Sequence, residues 1–145
     1  MNTNWGTPET RQIIFGRAIK TAYSITDEGA TGATLSRDLE PMTTGWAIGT
    51  ASIEVKTRRE MLEIIEATVF VQRALNDGLQ TNVDDIMDSW LGVGLWVDSD
   101  NRVVTEITAV IPITEIDEDT AVEIGRRLGQ TCIYSLDDER EIPCN

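Results

Sequence analysis

Histidine is absent from this chain of 145 residues, and with it go the commonest general base and the commonest metal ligand. A single chain without it cannot assemble a Ser-His-Asp or Cys-His catalytic set, and most zinc sites are closed to it. Cysteine is nearly as scarce. Cys132 and Cys144 are the only two, too few for a disulfide framework and without a C-x-x-C pair. Cys132, in the apolar run CIYSL, reads as a buried thiol, and Cys144, the penultimate residue, is expected on a mobile tail. Basic residues are the next shortage: 12 Lys+Arg stand against 25 Asp+Glu, a formal net charge of −13. Such a field repels phosphate, so direct nucleic-acid binding is not expected, whereas a basic protein partner is. No apolar run approaches the roughly 18 residues of a membrane span. The start MNTNWGTPETR has neither the basic residues nor the apolar segment of a leader. A reduced, cytoplasmic setting without membrane contact is the expectation.

What is present reads as one α+β domain over residues 1–145. A hydrophobic fraction of 41% with 26% charged residues suits a globular chain. Thr7-Pro8-Glu9 supplies a capping hydroxyl, a proline and an acid, and predicts a helix to about Tyr23. Its expected buried face is Ile14, Phe15, Ala18, Ile19 and Ala22. Residues 26–44 read as a long loop and Trp46 to Val55 as a strand. Thr57-x-x-Glu60 has the form of a capping box, opening a helix to Asn76 with Gly78 as its stop. Met61, Ile64, Ile65, Thr68, Val71 and Leu75 make its core stripe, and Phe70 projects from the other side. A short helix over Val83 to Trp90, capped by Asn82, precedes strands at Gly92 to Val97 and Val103 to Ile111. Asp117 caps a further helix, in which Ala121, Ile124, Gly125 and Leu128 share a face and Gly125 invites close approach. Thr131 to Leu136 is a last strand, with a small return at Glu141-Ile142. The order predicts a small, mainly antiparallel sheet of roughly three to five strands with helices packed on one face.

The candidate sites are acidic. In GLWVDSDNRVV, Asp98, Asp100 and Asn101 suggest calcium ligands, but an EF-hand loop counted from Asp98 fails at its required glycine and glutamate, where Val103 and Ala109 stand. Asp and Asn between two β-branched runs form a hairpin turn. Glu60, Glu63 and Glu66, followed by Asp84, Asp85 and Asp88, are a sharper set, because an E-x-x-E pair puts carboxylates one turn apart on a helix. As metal ligands, Glu60, Glu63, Asp85 and Asp88 would make a magnesium-dependent nucleotide hydrolase, similar to the all-helical nucleoside triphosphate pyrophosphatases. Those enzymes are helical throughout, and half of this chain reads as strand. Steps of three residues also drift about 60° around a helix, so the leading reading is a solvated acidic face with no catalytic residue, metal or cofactor. Asp84, Asp85 and Asp88, with Phe70 and Trp90, are instead the expected binding residues. Further acidic clusters lie at Glu115 to Asp119 and Asp137 to Glu141. The four tryptophans, Trp5, Trp46, Trp90 and Trp96, read as core and interface anchors.

From Leu91 onward, Leu91-Gly92 before Trp96-x-Asp98 is followed by a valine and isoleucine strand, an acidic helix start with Ala121, and Gly129-Gln130-x-x-Ile133-Tyr134-x-Leu136. This pattern resembles small uncharacterised proteins of actinobacterial phages and related mobile elements. Ser135 stands where an aspartate is common in them, and Glu106-Ile107-Thr108 replaces the usual Leu-Asp-Val-Ser. The resemblance spans about 50 residues and implies an accessory protein with no catalytic residues to transfer. The resulting expectation is a non-enzymatic acidic phage or mobile-element protein acting by protein–protein binding in the host cytoplasm, with counter-defence as one setting. The alternatives are the hydrolase above and a homo-oligomeric virion or assembly component using Phe70 and the tryptophans.

Overall fold

The computed structural model describes residues 7–27, 31–58, 60–77 and 86–144, leaving aside the side chains of residues 27, 52–56 and 88. Valine, isoleucine and threonine dominate RVVTEITAVI, and these residues form the central strand β4, Arg102–Ile111. On one side it pairs antiparallel with β3, Leu91–Val97, and on the other with β2, Trp46–Thr57. Short strands complete both edges: β1, Gly32–Leu35, against β3, and β5, Cys132–Ser135, against β2, with β6, Arg140–Pro143, outermost. The order is β1-β3-β4-β2-β5-β6, antiparallel at every pairing. The α+β class is as expected, but six strands exceed the predicted range because residues 26–44, read as a loop, contain β1, while β6 falls on the expected return at Glu141-Ile142. The sheet curls into a half-barrel. β2 supplies a cause, since its register against β4 shifts between Gly49 and Ala51 and again between Ser52 and Glu54. Bulges of this kind bend a strand and sharpen its twist.

Alternation along the strands separates two faces. Ile48 of β2, Leu91, Val93 and Leu95 of β3, and Val103, Ile107, Ala109 and Ile111 of β4 enter one hydrophobic core. Helix α2, Met61–Asn76, lies on that face and contributes Ile64, Ile65, Val69, Val71 and Leu75 to it. Helix α1, Pro8–Asp27, packs against α2 through Ile14, Ala18, Ala22 and Ile25. Its buried face is therefore rotated from the predicted one: Phe15 is 43% and Ile19 46% exposed. The helix also runs past Tyr23. Thr57 does not cap α2. It ends β2 opposite Arg102, and the N-cap is Glu60, without a side-chain bond. Pairing in the ladder takes priority over the local motif. Phe70 projects into solvent, as its position on the helix requires. Residues 78–85, which include Gly78 and the Asn82 cap, lie outside the described residues. Of the expected short helix, the described part is a single 3-10 turn at Asp88–Trp90.

Three local expectations hold in detail. Asp98 Oδ1 accepts from the amides of Asp100 and Arg102, both at 2.9 Å, while Asn101 adopts φ 60°, so the acids of the β3–β4 hairpin serve its turn. Asp117 caps α3, Glu118–Arg127, by accepting from Thr120 N at 2.8 Å. A Cβ on Gly125 would lie 2.6 Å from Ile133 Cγ2 and 2.8 Å from Cys144 Sγ, so glycine lets α3 rest directly on the sheet edge. That second contact corrects the expectation for Cys144. The residue is fully buried, its amide donates to Thr131 O at 3.0 Å and its carbonyl accepts from Arg126 Nε at 2.9 Å. The end of the chain is a core element.

Candidate functional site

The other face of the curled sheet holds a groove of about 880 Å³, within the usual range for ligand-binding clefts. Its floor comes from the residues that alternate with the core set: Ala47 and Gly49 of β2, Gly94 and Trp96 of β3, and Glu106 and Thr108 of β4. Cys132 and Tyr134 of β5 extend it toward β6. Glu106 is only 7% exposed, a charged side chain in the middle of an apolar strand. Two glycines make room for it. Gly94 is directly opposite Glu106 on β3, and Gly49 opposite Thr108 on β2. A Cβ on Gly49 would stand 2.7 Å from Glu106 Oε1, and one on Gly94 would stand 2.0 Å from Thr108 Oγ1. The carboxyl and hydroxyl thus fill the space that side chains on both neighbouring strands leave open.

The Glu106 carboxyl has weak support. Thr108 Oγ1 donates to Oε1 at 3.4 Å, and the Trp96 indole also bonds to it. Burial outweighs both and pushes the acid above its ordinary range. None of the ion pairs among the described residues involves Glu106. The rim is asymmetric in charge. At the α1 end stand Lys20 and Arg17, and Arg17 is held by Glu40 at 3.0 Å and by the Asp38 carbonyl at 2.7 Å. At the β5–β6 end stand Asp137, Glu139 and Glu141. Asp137 accepts from Gly45 N at 2.9 Å and Thr44 Oγ1 at 2.8 Å, bonds that hold its carboxyl below the usual carboxylate value. It therefore ties the β5–β6 turn to the segment entering β2 as a fixed negative charge.

Cys132 faces this groove, but burial first and the neighbouring Glu141 second raise its thiol. A thiol raised in this way is largely protonated at neutral pH and so a weaker nucleophile. Glu106 is one carboxyl able to hold a proton or to meet a cation. Trp96, which is 42% exposed, and Tyr134 add aromatic surface to the groove.

The residues expected from sequence lie elsewhere. Phe70 is on the solvent face of α2, and Trp90 is half-buried beside a smaller cleft of about 380 Å³ with Arg37 and Val110. Glu60 and Glu63 are exposed at the start of α2. Asp84 and Asp85 lie outside the described residues, as does the side chain of Asp88. Among the described residues, no group of three Cys, Asp or Glu side chains is placed to hold a metal ion. The other acidic clusters do meet. Arg140 Nη2 bonds Glu118 Oε1 at 2.7 Å, which joins the β5–β6 turn to the first turn of α3. Arg140 Nε is also 3.7 Å from Asp138 Oδ2, so Glu118 and Asp138 meet at one side chain, where the two acidic clusters adjoin. Sequence reasoning missed Glu106 as a site residue, although a glutamate in the middle of a β-branched strand is itself a signal. No family model, no curated protein and no solved structure matches the chain.

Proposed function

We propose that this chain is a binding protein whose acidic corner engages a basic partner protein, as an accessory protein of a phage or mobile element with counter-defence as its setting. The observation that carries the reading is the Arg140–Glu118 bridge. It brings together two carboxylate clusters that are separated in sequence, with Arg140 at their centre. A net excess of exposed negative charge speeds encounter with a complementary surface and makes binding salt-dependent. Absence of histidine and a protonated groove thiol support binding over catalysis.

The test begins with capture of partners from host lysate and continues with kinetics on the captured protein. Glu115→Gln, Asp119→Asn and Asp138→Asn together remove three exposed charges without touching the groove. The triple variant is expected to associate more slowly and with weaker salt dependence than the native chain. Failure to capture any partner at low or high salt, or an association rate unchanged by the triple variant, would overturn the reading. A second reading, as an assembly component, draws on Phe15, Ile19 and Tyr23, which form an exposed row at i, i+4 and i+8 on α1. Light scattering that gives a strict monomer at high concentration counts against it.

A further inference from the structure

We propose that the groove beside Glu106 is a receptor site for an arginine side chain of the basic partner, with the guanidinium seated on the Glu106 carboxylate. This rests on the binding reading above and names the chemistry it would recognise. Three observations converge. First, Glu106 is more than nine-tenths buried, lines the groove and has no cationic partner among the described residues. A carboxyl so placed has lost its water without gaining a counter-charge, and an incoming cation supplies what is missing.

Second, the groove opens toward the acidic β5–β6 turn, since Asp137, Glu139 and Glu141 line it and are sequence neighbours of Asp138 and Arg140, which meet Glu118 of α3. A basic segment drawn to the corner is thus led along the groove toward Glu106. Of the two basic side chains on the rim, Arg17 is already bonded to Glu40 and Asp38, so repulsion at the far end is reduced. Third, the aromatic and hydrogen-bonding surroundings favour guanidinium over ammonium. A planar guanidinium can bridge both carboxylate oxygens while its face rests on an aromatic ring, and Trp96 and Tyr134 provide such rings. Gly49 and Gly94 keep the approach open, because a side chain on either would meet the Glu106 and Thr108 atoms.

The test uses the full chain and three probes: acetyl-Gly-Arg-Gly amide, the same peptide with citrulline in place of arginine, and free agmatine. Calorimetry measures affinity, and the indole N–H signal of Trp96, identified through Trp96→Phe, reports the place. Citrulline keeps the shape of arginine without its charge. The arginine peptide is expected to bind at least about tenfold more tightly than the citrulline peptide, the scale of one charge-assisted hydrogen bond. It should also shift the Trp96 indole. Glu106→Gln keeps the volume of the side chain and is expected to erase that preference. The Glu115→Gln, Asp119→Asn, Asp138→Asn variant should leave the neutral citrulline peptide unchanged, weaken the arginine peptide only slightly at physiological salt, and keep most of the preference. Loss of the arginine preference in that variant, or its retention in Glu106→Gln, would overturn the assignment of Glu106. Agmatine binding as tightly as the peptide would overturn the assignment to a partner's side chain. If the triple variant binds the partner normally while Glu106→Gln loses arginine selectivity, the corner reading fails and the groove assignment stands.

Discussion

Replacing Gly94 by alanine sets two opposing effects against each other at the groove floor. The added Cβ would stand 2.0 Å from Thr108 Oγ1, 3.2 Å from Thr108 Cβ and 3.3 Å from Glu106 Cγ. Thr108 is 3% exposed and β-branched, so its χ1 is stiff, and rotating it exchanges the hydroxyl for a methyl of equal reach. Relief must come from displaced side chains or a shifted strand, at a cost of about 1–3 kcal/mol. Against that, alanine restricts the unfolded chain and returns about 0.4–1 kcal/mol. At the middle of both ranges the steric cost wins, and Gly94→Ala should be less stable by about 1 kcal/mol.

The pair of variants is more diagnostic than the single one. Thr108→Ala removes the struck oxygen and leaves Thr108 Cβ at 3.2 Å and Glu106 Cγ at 3.3 Å. Gly94→Ala/Thr108→Ala should therefore lose less stability than the two single changes added together, by about 1 kcal/mol. Urea unfolding followed by far-UV circular dichroism measures all four chains, with midpoints compared at a common slope. Additivity within about 0.5 kcal/mol would show that Gly94 and Thr108 do not contend for one space, and the packing of the groove floor would be wrong.

Glu106→Gln should change the pH dependence of stability. Burial raises the folded-state acid above its ordinary value of 4.5, so the folded chain holds this proton more tightly than the unfolded one. Stability is then lost as pH rises from the unfolded value through the folded one. The stability of the variant minus that of the native chain should rise across that window, and a difference that falls with rising pH refutes the sign. Asp117 is opposite in direction, because its bonds to Thr120 lower its pKa. Its contribution is present above the unfolded value and lost as pH falls through the folded one, so Asp117→Ala should flatten the acid limb of the same titration. Gly125→Ala gains about 1 kcal/mol of helix propensity but must displace Ile133 or Cys144, both buried; a higher melting temperature would contradict the contact. Maleimide under native conditions should modify half-buried Cys132 slowly and Cys144 only on unfolding. Equal rates at the two thiols would contradict the burial of the chain end.

Elements with their own local signal are legible in the sequence. The hairpin around Asp98, the Asp117 cap and the close approach at Gly125 each depend on residues within a few positions of one another, or on one glycine on one helix face. The errors fall where partners distant in sequence decide the outcome. GATL is too short to show a period and becomes a strand through pairing with β3. Helix α1 is apolar on adjoining sides, and contact with α2 selects Ile14, Ala18, Ala22 and Ile25 over Phe15 and Ile19. Thr57-x-x-Glu60 satisfies the form of a capping box, yet the ladder with β4 claims Thr57.

The groove is illegible in the sequence for a further reason: it is built partly from side chains that are missing. In VVTEITAVI the glutamate is an anomaly, but its meaning depends on Gly49 and Gly94, which lie on different strands and meet it only in the sheet. Read along the chain, each glycine merely weakens a strand, by roughly 0.5–1 kcal/mol relative to alanine, and a buried acid weakens it again. Three independent costs would scatter over the molecule if they arose by drift. Here they converge on one point of the groove floor, in a groove that Trp96 and Tyr134 also line. Convergence of locally unfavourable choices is what a site requires and what a merely folded sheet does not. A purely structural role for Glu106 would make it replaceable by leucine with a gain in stability and no loss of binding. The groove reading separates those outcomes, because the same replacement should stabilise the fold while removing the charge that selects arginine.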